Sequence, residues 1–211
     1  MAVLTALFTA GVSVLQVVSA DRTALNEKLF IRRQILLSLD LIDTADVSAH
    51  AVDKIFSDKV AEFSWPDNPR SVYASISPDG KVLAYAFPIE GAGFWGPIYG
   101  YLGVSPDGNS VVGIAFTKHS ETPGLGARIE DLSFIRQFRG KDISQAREGL
   151  YLRFVSEGAP VDDHTVHAIT GATRTSFGLN VFLNDDIDRI RNALASNALK
   201  PADSRAKGAP R

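Results

Sequence analysis

The chain has 211 residues, 45% of them hydrophobic and 22% charged, with a net charge of −2. This is ordinary globular composition without the basic surplus of a nucleic-acid surface, so a polyanionic partner is excluded. There is no cysteine, which removes disulfides, thiolate metal sites, iron–sulfur clusters and thiol nucleophiles and leaves redox chemistry to a bound cofactor.

Ala2 to Ala20 carries no charge and is polar only at Thr5, Thr9, Ser13, Gln16 and Ser19. As a helix it rises about 28 Å, close to the hydrocarbon thickness of a bilayer. Residues 1–20 are therefore expected to be one transmembrane anchor. A cleaved signal peptide is the alternative, since Val18-Ser19-Ala20 suits a signal peptidase although no basic segment precedes the apolar run. Beyond Asp21, Leu25, Leu29, Ile35 and Leu36 keep near one helical face, with Glu27, Lys28, Arg32 and Arg33 elsewhere, so the helix is expected to continue out of the membrane. Those basic residues follow the span, and the positive-inside rule taken alone would place the bulk of the chain in the cytoplasm.

Val52, Ile55, Phe56 and Val60 repeat at three and four residues, which predicts a polar helix over 44–63, ended by Pro66 and Pro69. Two hairpins follow. Residues 71–77 and 82–87 flank one Ser-Pro-Asp-Gly turn, and residues 97–104 and 111–117 flank another. Gly91, Gly93 and Gly96 between them surround Phe94 and Trp95, which suits a tight loop, with Trp95 expected in the core. A helix is predicted over 127–138, a strand over 151–155 and a terminal helix over 184–199 with Ile187, Ile190 and Leu194 on one face. Without a regular βαβ alternation the fold class is α+β: an antiparallel sheet of hairpins with packed helices. The expected layout is an anchor over 1–20, a helical connector over 21–68, one domain over 69–199 and a disordered tail over 200–211.

Ile169-Thr170-Gly171-Ala172-Thr173-Arg174-Thr175-Ser176 gathers four hydroxyls around two small residues. Such a stretch is either a helix start capped by Ser or Thr, or a turn whose backbone N–H groups bind an anion. Upstream, His119-Ser120-Glu121-Thr122-Pro123-Gly124-Leu125-Gly126 reads as a Pro-Gly turn joining strand to helix. No Ser/His/Asp set is present, so no catalytic residue is assigned. His119, His164 and His167 lack the spaced carboxylates or cysteines of a metal centre, and no metal is expected.

These two stretches, in this order, resemble the Ser/Thr-Gly-Ala-Thr and Glu-Thr-Pro-Gly-Leu-Gly motifs of the FMN-binding domain family. That family includes the NqrC subunit of the sodium-translocating NADH:quinone reductase and the RnfG subunit of the related ferredoxin:NAD oxidoreductase. Gly93-Phe94-Trp95-Gly96-Pro97 and the N-terminal helix are more similar to the NqrC branch.

The resemblance implies covalent FMN on Thr173, joined through its phosphate by a flavin transferase that uses FAD as donor with Mg2+. It also implies cofactor contacts from Thr170, Gly171, Ala172, Arg174 and Thr175, and from Glu121, Thr122, Leu125 and Gly126, with Leu125 covering the ring. The implied function is electron transfer among membrane redox subunits of an ion-translocating complex, from a single-pass protein of the inner membrane whose domain lies on the extracytoplasmic side. His167 departs from the family, which commonly has Asp six residues before the modified Thr. Two further readings stay open: an extracytoplasmic flavoprotein released by signal processing, and a cofactor-free assembly domain in which the Thr-rich turn only caps a helix.

Overall fold

The computed structural model describes the backbone of residues 2–44 and 46–202 and, within its first helix, the side chains of Thr5, Thr9 and Arg22 onward. Helix α1 (Ala2–Ser38) leads to α2 (Ala49–Lys59), then strands β1 (Val60–Trp65), β2 (Asn68–Ile76), β3 (Val82–Ala92), β4 (Pro97–Val104) and β5 (Val111–Lys118). A broken helical segment follows: 3-10 turns at Gly126–Glu130 and Arg136–Phe138 around the short α3 (Leu132–Ile135). The chain closes with β6 (Arg153–Val155), β7 (Thr165–His167), α4 (Thr173–Ala195) and β8 (Lys200–Pro201). The expected anchor over 1–20 falls where most side chains lie outside the described residues. Among the described residues no helix is long and apolar enough to cross a membrane.

Six strands form an antiparallel sheet in the order β5-β4-β3-β2-β1-β8. Strand alternation divides the side chains between its two faces. Phe87, Ile89, Leu102 and Val104 meet Leu179, Leu183, Ile187 and Ile190 of α4 in the main core. Ala84, Ala86 and Tyr101 turn the other way, toward Ile35 and Leu39 at the end of α1. Small residues on this second face let α1 come close: a Cβ on Gly113 would lie 2.9 Å from the Ser38 carbonyl oxygen, and one on its cross-strand partner Gly103 would overlap that oxygen.

Both hairpins form as expected, and Gly80 and Gly108 take the left-handed conformation their turns require. Several elements differ. The helix expected over 44–63 is confined to Ala49–Lys59 by Ser48, whose hydroxyl accepts from Ala51 N at 3.3 Å. Val60 onward instead pairs with β2, so the sheet begins ahead of residue 69 and the connector is not wholly helical. The helix expected over 127–138 breaks at Asp131, whose backbone is extended at φ −62°, ψ 133°.

Strand β6 is shorter than expected and pairs with β7 in parallel, an arrangement outside the antiparallel expectation. Helix α4 starts eleven residues before the predicted 184, because Leu179, Phe182 and Leu183 extend its buried stripe toward the N-terminus. Lys200 and Pro201, expected in a disordered tail, pair with Ser64 and Phe63 at the sheet edge. The rest of that tail, 203–211, lies outside the described residues.

Asp186 is the charged group α4 brings into the core. It is 3% exposed, accepts from Glu90 N at 3.2 Å and pairs with Arg189. Burial pushes its carboxyl up from an ordinary 3.8 to about 6, against the opposing pull of Arg189. A group whose folded pKa is raised contributes stability below its unfolded pKa and loses it as pH rises through the folded value. Asp186→Asn keeps an acceptor for Glu90 N and removes the charge. Its stability relative to wild type is expected to rise between pH 4 and pH 7 by roughly 2 kcal/mol, most of the ~3 kcal/mol the full shift represents, the remainder falling below pH 4. Urea melts of both proteins across that range check it; a difference independent of pH would contradict it.

Candidate functional site

Three segments converge at one end of α4: the 92–96 connection between β3 and β4, the 119–126 loop after β5, and the first turn of α4 itself. A backbone bond from Gly93 N to Gly96 O at 2.9 Å closes the first into a tight loop. Close packing sets its distance from α4, since a Cβ on Gly91 would overlap the Phe182 ring and one on Gly178 would overlap the Ala92 carbonyl oxygen.

Glu121 joins the three. It is 5% exposed. Its Oε1 accepts from Phe94 N at 2.8 Å and Trp95 N at 3.0 Å, and its Oε2 accepts from the Thr175 hydroxyl. The carboxylate fits because its neighbours are glycines: a Cβ on Gly93 or on Gly126 would lie 2.6 Å from a carboxylate oxygen. The Glu121 N–H donates to His119 Nδ1 at 3.1 Å, which leaves the ring proton on Nε2, 3.0 Å from Glu130 Oε1. A buried carboxylate with three donors satisfies the demand that buried charge be paired.

Beside Glu121 is a cavity of about 340 Å³ with Thr122, Leu125 and Gly126 on one side and Gly171, Ala172, Thr173, Arg174 and Thr175 on the other. Nine of the ten residues that the resemblance implied are therefore brought to one site. Thr170 is the exception: its hydroxyl donates to Glu157 and it lines not this cavity but an adjoining one, to which Gly171 and Thr173 also contribute, with Gly171 left-handed at φ +81°. Leu125 is 46% exposed and leans toward Gly171, where an added Cβ would meet its Cδ2 at 3.3 Å.

Thr173 is exposed and is the first residue of α4. The capping position before it is Ala172, with no side-chain hydrogen bond, so the reading of this stretch as a Ser- or Thr-capped helix start is overturned. A 23-residue helix left uncapped at its N-terminus presents backbone donors and the positive end of its dipole to an anion. Trp95 corrects another expectation, for it is 64% exposed and stands with Phe94 at the cavity rim, their rings 4.7 Å apart. The Arg174 guanidinium lies 5.3 Å from the Phe94 ring centre. The three glycines around the pair were the sequence signal that these aromatics belong to a loop.

The histidines have separate neighbours. His164 Nδ1 donates to the Tyr151 carbonyl at 3.2 Å and His167 Nε2 to the Ala159 carbonyl at 2.8 Å. His167 lies on a third, smaller cavity with Gln137 and Glu157, apart from the one that holds Thr173. Among the described residues no group of three metal-ligating side chains converges.

The donor set fits a phosphorylated flavin. The uncapped helix start and Arg174 suit a phosphate, Gly171 leaves the approach to Thr173 open, and Phe94, Trp95 and Leu125 offer a partly exposed apolar wall for a flat ring.

Residues 93–188 match the family model described as FMN-binding domain, a span that begins at the glycine loop and ends within α4. The NqrC subunit of the Na(+)-translocating NADH-quinone reductase of Pasteurella multocida is 40% identical over 126 residues, 58% of this chain and 47% of that protein. The same subunit of Chlamydia pneumoniae is 39% identical over 121 residues, 57% of this chain and 36% of that protein. These alignments thus span less than half the length of the curated relatives. Among solved structures, the corresponding subunit from Parabacteroides distasonis superposes with a TM-score of 0.65 at 26% identity, over 80% of this chain and 94% of that one. NqrC from Shewanella oneidensis, at 23% identity and a TM-score of 0.64 over 78% and 96%, shares the fold. Residues 93–188 match the FMN-binding domain family, with the uncapped helix start and the Glu121 loop both inside the matched span, and the chain is similar to the NqrC subunits of Na(+)-translocating NADH-quinone reductases.

Proposed function

We propose that this chain is an electron-transfer subunit of a membrane-bound NADH:quinone reductase, with FMN covalently attached to Thr173. The observation that carries this reading is the placement of Thr173: the exposed first residue of an uncapped helix, at the edge of a cavity walled by the residues of both motifs. When bound, FMN exchanges one or two electrons, chemistry that no side chain of this cysteine-free chain supplies. The first turn of α4 and Arg174 balance the phosphodiester charge. Phe94, Trp95 and Leu125, which line the cavity with exposed apolar surface, would hold the ring.

Attachment needs no base in this chain. A Thr hydroxyl is not acidic near neutral pH, so a flavin transferase supplies base and Mg2+. The Thr173 Oγ–P bond forms as the bond from the flavin-side phosphorus of FAD to AMP breaks, and the hydroxyl proton passes to the transferase base. His167 is held by the Ala159 carbonyl, away from the cavity of Thr173, and is compatible with modification. The apolar segment over 1–20 anchors the chain in the inner membrane, and the domain meets its partner redox subunits on the extracytoplasmic side.

Co-expression with a flavin transferase tests the reading. Wild type is expected to be yellow and heavier than the unmodified chain by one FMN residue, and Thr173→Ala colourless with unmodified mass. Wild type of unmodified mass, or Thr173→Ala that keeps the addition, would refute it.

A further inference from the structure

Thr173 and Gly171 line two cavities, not one. The second, of about 490 Å³, lies against β6 and the outer side of α4, between Phe154, Ile169 and Phe177, with Glu157 and Thr170 at its edge. Both volumes fall within the roughly 300–1,000 Å³ of small-molecule sites. Much of the larger cavity's polar lining is already engaged. Asn180 Oδ1 accepts from Phe154 N at 3.2 Å, Ser176 Oγ accepts from Ile169 N at 3.0 Å, and Thr170 bonds Glu157. What remains is an apolar slot with acceptors at its edge, a shape suited to a flat heteroaromatic ring.

Phe177 is 69% exposed. It follows Thr173 by four residues and so lies one helical turn along the same face. The smaller cavity has an equivalent exposed aromatic in Trp95. Each cavity thus carries exposed aromatic rings, Phe94 and Trp95 at the smaller and Phe177 at the larger, and both include Thr173 in their lining.

We propose that the larger cavity is a second seat for the flavin ring, so that a flavin tethered at Thr173 exchanges between the Trp95 seat and the Phe177 seat. This rests on the attachment at Thr173 proposed above. A single phosphoester fixes one end of the flexible sugar-alcohol chain and leaves the ring free to turn about it. The uncapped start of α4 holds the phosphate whichever seat is filled. Two walls of similar apolar character differ little in affinity, so both are populated. The seats are walled by different elements, β6 with α4 at one and the 92–96 and 119–126 loops at the other, so the ring can meet an electron donor at one and an acceptor at the other.

The two seats are optically distinct. Indole quenches flavin fluorescence on contact by lending an electron to the excited ring and recovering it. Trp95 is the indole at the smaller seat; the chain's other tryptophan, Trp65, is buried against Phe87 in the core. Time-resolved fluorescence of the flavinylated full chain is expected to show a short-lived component that Trp95→Phe removes, beside a long-lived one that it leaves. In the double variant Trp95→Phe/Phe177→Trp the short component is expected to return, now from the larger seat, beside a long-lived one from the smaller seat. Both positions are exposed, so the fold tolerates these changes. A single decay in wild type, or a double variant decaying like Trp95→Phe alone, would overturn the second seat. Mass spectrometry of the same samples separates the two claims: FMN present with either of those decays overturns the second seat alone, and an unmodified mass overturns the attachment and the second seat together.

Discussion

Glu121→Ala is expected to lower stability by about 3 kcal/mol and to abolish efficient loading of flavin, although Glu121 lies on the cavity wall and not at Thr173. Its carboxylate ties its own loop to two other segments, accepting from Phe94 and Trp95 N–H in the 92–96 loop and from the Thr175 hydroxyl in α4. The Ala variant leaves the Thr175 hydroxyl, 2% exposed, without its acceptor in a dry site. The backbone donors of the exposed Phe94 and Trp95 can turn to water, so their loss costs less. The void between Gly93 and Gly126 adds a packing term. Glu121→Gln keeps an acceptor for the two backbone N–H groups, and the Thr175 hydroxyl can rotate to accept from the amide, so it is expected to cost only about 1 kcal/mol. Urea melts of the two variants, with flavin content measured after co-expression, check the contrast. Equal midpoints for Glu121→Ala and wild type would remove Glu121 from this role.

The second large effect is expected at Gly103→Ala, on the sheet face away from the flavin site. A Cβ there would overlap the Ser38 carbonyl oxygen, which the rigid end of α1 holds in place. Relief requires α1 to lift, and Ile35 and Leu39 would then lose part of their cover from Ala84, Ala86 and Tyr101. Overpacking of this kind, against backbone that cannot rotate away, costs about 3 kcal/mol. Gly96→Ala is the control, since its Cβ would meet nothing nearer than 3.5 Å. Thermal melts together with limited proteolysis after residue 40 distinguish them: Gly103→Ala should melt earlier and be cut faster in the link between α1 and α2. A Gly103→Ala protein as resistant as Gly96→Ala would mean that α1 is not seated as the structure has it.

Both positions show why local patterns reveal only part of such a site. Elements whose signal is contained in a few neighbouring residues were legible. The Ser-Pro-Asp-Gly turns carry their own geometry, and the nearly continuous burial of β4 and β5 follows from a sheet covered on both faces. Elements that depend on a distant partner were not. Val60–Trp65 has helical spacing on its upstream side and becomes strand because β2 offers it a ladder. Lys200 and Pro201 are ordered only by the edge of β1, and three-residue β7 exists because β6 lies beside it. The start of α4 was hidden by Thr, Ser and Gly, poor helix formers that Leu179 and Phe182 hold in place from the core.

The order of residues alone specifies the hairpins, the α+β class, the absence of thiol chemistry, and the two motifs whose succession resembles that of the FMN-binding domain family. Those properties reside in short contiguous stretches, where turn chemistry and side-chain period act within a few residues. Packing in three dimensions was needed to put Trp95 at the rim and not in the core, to leave the α4 start uncapped at Ala172, to set Thr170 outside the cavity beside Glu121, and to bind two loops and the start of α4 through the one carboxylate of Glu121. One cause is common to all four. A hydrogen-bond acceptor or an apolar wall acts over a few ångströms in space, and the chain brings residue 94, residue 121 and residue 175 within that range only after the sheet and α4 have packed.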